Sequence, residues 1–322
     1  MILGSGDHKY RAIEGWAQLP PSWEFGDVAA VGVDRKDRVY VFNRGEHPMV
    51  VFDREGNFIK SWGEGIFNRP HGIHMAPDET IYCTDDGDHT VRQLTLEGKV
   101  LLTIGIPGQP APFMSGEPFR RCTHTALSPR GDIYVSDGYG NAKIHKYSPD
   151  GKRLMSWGEP GADPGQFNCP HNISCDADGW VYVADRENHR VQVFDGNGKF
   201  EAQWHNMHRP SGLFMPPGRC QHCYVGEIGP YLNFNRGTPH LGPRLSIYTH
   251  KGELLARLGT EPAAGTGPGQ FLSPHGISVD SRGDIYVGEV AVTAWPSLFP
   301  GKPVPKPIRS LQKLAKVGPE AA

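Results

Sequence analysis

The sequence predicts an all-β chain folded as one six-bladed β-propeller across residues 1–322, and three observations carry that reading. A motif of the form Gly-x-Ile/Val-Tyr-Val recurs six times. Glycine (41) and proline (29) are abundant, as a chain of short strands and tight turns requires. Helical periodicity is nearly absent, while alternating apolar runs of strand length recur. Four such strands per unit, with Gly at the turns, describe a propeller blade.

The six units are read in order. They are Asp37-Arg-Val-Tyr-Val-Phe-Asn43, Glu79-Thr-Ile-Tyr-Cys-Thr-Asp85, Gly131-Asp-Ile-Tyr-Val-Ser-Asp137, Gly179-Trp-Val-Tyr-Val-Ala-Asp185, the divergent Gln221-His-Cys-Tyr-Val-Gly-Glu227 and Gly283-Asp-Ile-Tyr-Val-Gly-Glu289. Each motif is the second strand of its blade. An apolar strand precedes it, and two more follow, the fourth ending as Ser61-Trp-Gly63 or Ser156-Trp-Gly158. Unit six lacks a fourth strand after Ile308–Leu314. Tyr10–Trp16 resembles one, so an N-terminal strand is expected to close the ring and remove an open edge. Two insertions interrupt the pattern: 229–243 in blade five, and the Pro-rich 291–307 in blade six, with Trp295 and Phe299. Long loops on such a scaffold are functional more often than decorative.

Composition narrows the function classes. A net charge of −2 argues against nucleic acid or an anionic membrane surface as partner. No apolar run is long enough to span a bilayer. The N-terminus has no signal-like pattern, which predicts the cytoplasm. Six cysteines include Cys220-Gln-His-Cys223, but no second such pair completes a structural zinc site, so a turn and strand are expected there. Oligomeric state is not encoded legibly.

The chemistry is concentrated in three Pro-His pairs: Pro70-His71, Pro170-His171 and Pro274-His275. Each opens the first strand of its unit, with a Tyr eleven residues after the His (Tyr82, Tyr182, Tyr286). The units are blades two, four and six, so the three imidazoles should lie about 120° apart at one mouth of the channel. Ala29, Thr123 and Ser211 hold the equivalent positions in the other blades, and none is a strong ligand. Three imidazoles with an open position suit a catalytic zinc, and nitrogen ligands also suit iron, copper or nickel. His74, His124, His145, His189, His205 and His208 lack this symmetry, although His124, beside Thr123, is placed to line the same mouth. The residue after the second strand should face that mouth too. Arg44 and Arg186 hold it in opposing blades, and Gly138-Tyr139-Gly140 forms the same loop in blade three. Two guanidinium groups and a phenol make a pocket for an anionic small molecule.

The repeats resemble NHL repeats. Val183-Ala-Asp-Arg-Glu-Asn-His-Arg-Val-Gln-Val-Phe194 is nearly a consensus copy. The whole ring resembles the peptidyl-α-hydroxyglycine α-amidating lyase family in Phe42-Asn-Arg-Gly45, Pro70-His71-Gly, Val135-Ser-Asp-Gly-Tyr139, Pro164-Gly-Gln-Phe-Asn-Cys-Pro-His171, Ala184-Asp-Arg-Glu-Asn188 and Pro274-His275. The resemblance implies zinc on His71, His171 and His275, Tyr139 as general base, Arg44 supporting that base and binding substrate, and Arg186 holding a substrate carboxylate. The implied reaction cleaves the C–N bond of an N-acyl carbinolamide to an amide and glyoxylate. Two family features depart. Gly276 stands where the family has a calcium-binding Asp, which leaves calcium (Ca2+) in doubt, and Gly140 replaces a half-cystine. Two other classes stay open: a metal-dependent hydrolase, lactonase or other α-hydroxy-acid lyase on the same site, and a non-enzymatic NHL scaffold.

Overall fold

The computed structural model describes residues 1–218 and 222–318. The six units form six antiparallel sheets, five of four strands and one of five. Their innermost strands begin at Val28, Pro70, His124, Pro170, Pro210 and Pro274. Each lies against the next, and Pro274–Val279 lies against Val28–Val33, which closes the ring.

Closure uses the N-terminus, as expected, with shifted limits. Blade six runs Pro274–Val279, Ile285–Glu289, Leu311–Lys316, His8–Ile13 and then Leu3–Ser5, a fifth strand added outside. Trp16 leaves the sheet. It packs with Val28, Phe52 and Tyr286 between blades six and one, and its indole N–H donates to the Arg54 carbonyl at 2.9 Å. The apolar anchor won over strand alternation there because the blade junction offers a deeper burial site. Cys220 and Gln221 lie outside the described residues. Cys223 is buried in the second strand of blade five.

The core is distributed between blades. Tyr40, Phe42 and Met49 of blade one pack with Ile73, Ile81 and Leu94 of blade two, and similar clusters fill the other junctions. Both faces of a strand are therefore buried, which is why the second strands read as unbroken apolar runs.

Buried acids at the ends of the second strands position the mouth. The Asp85 carboxylate accepts the backbone N–H of Asn68 at 2.6 Å and Arg69 at 2.9 Å, immediately before Pro70-His71. Asp185 accepts from Asn168 at 2.7 Å, and Glu289 from Leu272 at 2.5 Å. Each acid satisfies amides that no strand pairs, and so fixes the chain leading into a Pro-His pair.

Both insertions join second to third strands, so they rise on the same face as the histidines. The second holds a helix, Ala291–Leu298, within what the sequence suggested was only a Pro-rich loop. Ala291 and Trp295, four residues apart, share its buried face and pack on Leu272 and Ile308. Pro296 withholds an N–H, and the helix ends two residues later.

Candidate metal centre and its pocket

The three predicted imidazoles converge. A ligand nitrogen from each of His71, His171 and His275 lies within 4.8 Å of the others, and all three residues are buried. Ring centroids are 4.9, 4.7 and 4.7 Å apart, a nearly equilateral set.

Each ring is oriented by the next blade. His71 Nδ1 lies 2.6 Å from the Thr123 carbonyl, His171 Nδ1 is 2.9 Å from the Ser211 carbonyl, and His275 Nδ1 is 2.6 Å from the Ala29 carbonyl. A carbonyl only accepts, so each Nδ1 carries the proton and each Nε2 presents a lone pair. The positions that sequence reading set aside as non-ligands thus hold the ligands in place through their main chains. Glycine permits this approach in blades two and six: a Cβ on Gly72 would lie 2.8 Å from the Thr123 carbonyl, and one on Gly276 would collide with Ala30. An aspartate at 276 has no room without moving blade one.

Tyr139 stands over the triad. Its hydroxyl is 3.1 Å from His71 Nε2, 3.0 Å from His171 Nε2 and 3.4 Å from the Arg186 guanidinium. A Cβ on Gly138 would collide with the Pro170 carbonyl, and one on Gly140 with the Arg120 side chain. The two glycines let this loop press against blade four and swing the phenol over the channel. Arg121 and Arg186 lie 4.7 and 5.3 Å from the ring centroid.

The donor set fits a divalent metal. Three lone pairs converge in a buried space, and one hydroxyl proton cannot satisfy them all. Burial, first, and the neighbouring imidazoles or arginines hold all three histidines well below the usual histidine range, so they stay neutral, as metal ligands must. A backbone carbonyl accepting from the Nδ1–H is a usual outer partner of a metal-binding histidine.

Beside the triad lies a cavity of about 210 Å³, which His275 and Tyr139 help to line. Arg44 and Arg186 line it, as expected, and so do Arg69 and Arg209. Arg44 donates to the Pro70 carbonyl at 3.0 Å and is 3.4 Å from Asp27. Arg69 and Arg121 share Asp86, and Arg186 and Arg209 share Glu187. Five guanidinium groups thus face three carboxylates. Burial and then Arg69 push the Arg44 guanidinium below its ordinary value, so an anion beside it would be welcome. Burial opposes the charge of Arg186, but Cys169, Tyr139 and Glu187 outweigh it and raise its value.

Sequence reading missed Arg69 and Arg209, which directly precede Pro70 and Pro210. Their place before an inner strand is the signal that could have found them. His124 does not join the site. Its ring lies against Gly72, and it is not among the residues lining the cavity. Among the other histidines, His145 is buried between Asp137 and Ser156.

A closed six-bladed ring with three oriented imidazoles at one mouth defines an NHL-type propeller with a candidate metal centre. Residues 167–194 match the NHL repeat. The chain is 32% identical over 313 residues to NHL repeat-containing protein 3 of Mus musculus, covering 88% of this chain and 82% of that one. It therefore belongs to the family of NHL repeat-containing protein 3. Its homologues include peptidyl-alpha-hydroxyglycine alpha-amidating lyase 1 of Drosophila melanogaster, 29% identical over 310 residues, covering 83% of this chain and 56% of that one. The chain spans less than two thirds of that lyase, and 65% of the human NHL repeat-containing protein 3. A solved streptogramin B lyase shares the fold, with a TM-score of 0.60 at 16% identity over 94% of this chain and 97% of that one. No helix among the described residues is long and apolar enough to cross a membrane.

Proposed function

We propose that the protein is a metal-dependent lyase that cleaves an N-acyl-α-hydroxyglycine to the free amide and glyoxylate. One observation carries the reading: the Tyr139 hydroxyl lies within hydrogen-bonding distance of two Nε2 atoms of the triad, with Arg186 beside it. Homology to the amidating lyases supports it.

His71, His171 and His275 would hold the metal, zinc by the chemistry of the set, and when bound it supplies a Lewis acid that acidifies the substrate α-hydroxyl. Arg186, with Arg209 behind it, pairs with the substrate carboxylate through a planar donor fork. Tyr139 as phenolate accepts the α-hydroxyl proton, with Arg186 and the stacked Arg121 stabilising its negative charge. The electron pair left on the hydroxyl oxygen forms the second bond of the glyoxylate carbonyl, the C–N pair leaves with the amide nitrogen, and that nitrogen takes the proton back from Tyr139, so no water is consumed. Arg44, fixed by Asp27 and the Pro70 carbonyl, adds positive charge opposite Arg186.

The test is metal quantification followed by incubation with N-acyl-α-hydroxyglycines in H₂¹⁸O. Glyoxylate and amide should form with no ¹⁸O entering the amide. Solvent ¹⁸O in a carboxylic acid derived from the acyl group would mark a hydrolase instead. A protein that never holds metal would point to a scaffold.

A further inference from the structure

The cavity is chemically two-sided, and its sides come from different blades. Arg44, Arg69, Tyr139 and Arg186 belong to blades one to four. The side built by blades five and six carries an apolar wall, Leu272, Val290, Ala294 and Leu298 beside Ile228 and Pro230, and also Arg209, Ser273, Thr293 and Ser297. No carboxylate is among the residues lining it.

That apolar wall is preformed. The helix Ala291–Leu298 is pinned by Trp295 and Ala291 in a cluster with Leu272 and Ile308. Its first turn is tied to blade one, where Thr293 donates to Asp27 from its backbone N–H at 3.1 Å and its hydroxyl at 2.5 Å. From the other insertion, Tyr231 rests on the Arg209 guanidinium, 4.0 Å from its centroid. Glu187 holds that guanidinium from beneath through contacts of 3.0 and 2.9 Å. The pocket, about 210 Å³ and partly open to solvent, is below the usual range for drug-sized ligands.

We propose that the acyl half of the substrate is compact and apolar, an aryl or branched alkyl group seated on Leu272, Val290, Ala294 and Leu298 and flanked by Tyr231. This rests on the lyase reading and deepens it. The anionic hydroxyglycine end faces the arginines and the triad, and the acyl group turns toward the two insertions. A cationic residue at the acyl position meets Arg209 and no carboxylate on that side. A small polar acyl group leaves the wall wet and forfeits the burial of apolar surface.

The experiment uses the full chain loaded with zinc. It compares kcat/KM for N-benzoyl-α-hydroxyglycine, N-carbamoyl-α-hydroxyglycine and N-acetyl-lysyl-α-hydroxyglycine. The benzoyl compound should exceed each of the others at least tenfold. Leu298→Asp should cut the ratio of the benzoyl to the carbamoyl kcat/KM at least about fivefold, and Ala294→Asp is the second variant if the first misfolds. A carbamoyl or lysyl substrate equal to or better than the benzoyl one overturns the acyl proposal and leaves the lyase reading standing. If none is cleaved, binding of N-benzoylglycine is measured by calorimetry. Binding that Leu298→Asp abolishes keeps the apolar wall and overturns the lyase. No binding overturns both.

Discussion

Glu187 ties two cavity arginines together, and neutralising it should expose that role. Its carboxylate contacts Arg209 at 3.0 and 2.9 Å and Arg186 at 2.7 Å, with its side chain 24% exposed. Burial works to raise its titration, but the hydrogen bond from Arg209 and the charges of Arg186 and Arg209 prevail and lower it from 4.5 to about 2. That difference corresponds to roughly 3 kcal/mol, and solvent screening of a partly exposed group brings it nearer ~2 kcal/mol. The sign follows from linkage. A depressed carboxyl contributes stability that is fully present above about pH 4.5 and is lost as the pH falls through about 2. Glu187→Gln should therefore lower stability by about 2 kcal/mol at pH 7, read as a shift in the urea midpoint. The gap to wild type should narrow below pH 4.5. KM for the carboxylate substrate should rise about tenfold as Arg186 and Arg209 lose their common anchor, with metal content unchanged. A stability gap that stays constant between pH 7 and pH 3 would refute the electrostatic account.

Tyr139→Phe should keep full metal content by elemental analysis and lose at least about 100-fold in kcat, the usual scale for removing a general base. Full activity in that variant would remove the phenol from the mechanism. Chelation should lower the melting temperature, and zinc at about 100 times its Kd should restore roughly 2.7 kcal/mol, checked by thermal scans with added metal. Gly138→Ala must push the Tyr139 loop away from Pro170, so it should cost about 1–3 kcal/mol in chemical denaturation and reduce kcat more than it raises KM.

Much of the ring was legible because a repeat writes its architecture six times. Val39–Asn43 and Val181–Asp185 are second strands at the positions the motif predicts, and the buried Asn43 and Asp185 that end them are visible as the motif's last letter. Trp16 and the helix at Ala291 were not legible. Their conformations answer to surfaces supplied by distant blades, and a local pattern carries no record of those.

The sequence by itself determined the six units, the three Pro-His positions on alternate blades and the Arg44, Tyr139 and Arg186 loops. Equivalent positions in a closed ring must converge, so spacing alone implied the triad. Only the tertiary structure decided how each imidazole is aimed, because the Thr123, Ser211 and Ala29 carbonyls belong to neighbouring blades and main-chain acceptors leave no trace in residue identity. It also decided the shape of the pocket. Arg69, Arg209, Tyr231 and Leu298 come from four separate segments, and it is ring closure that brings them to one cavity.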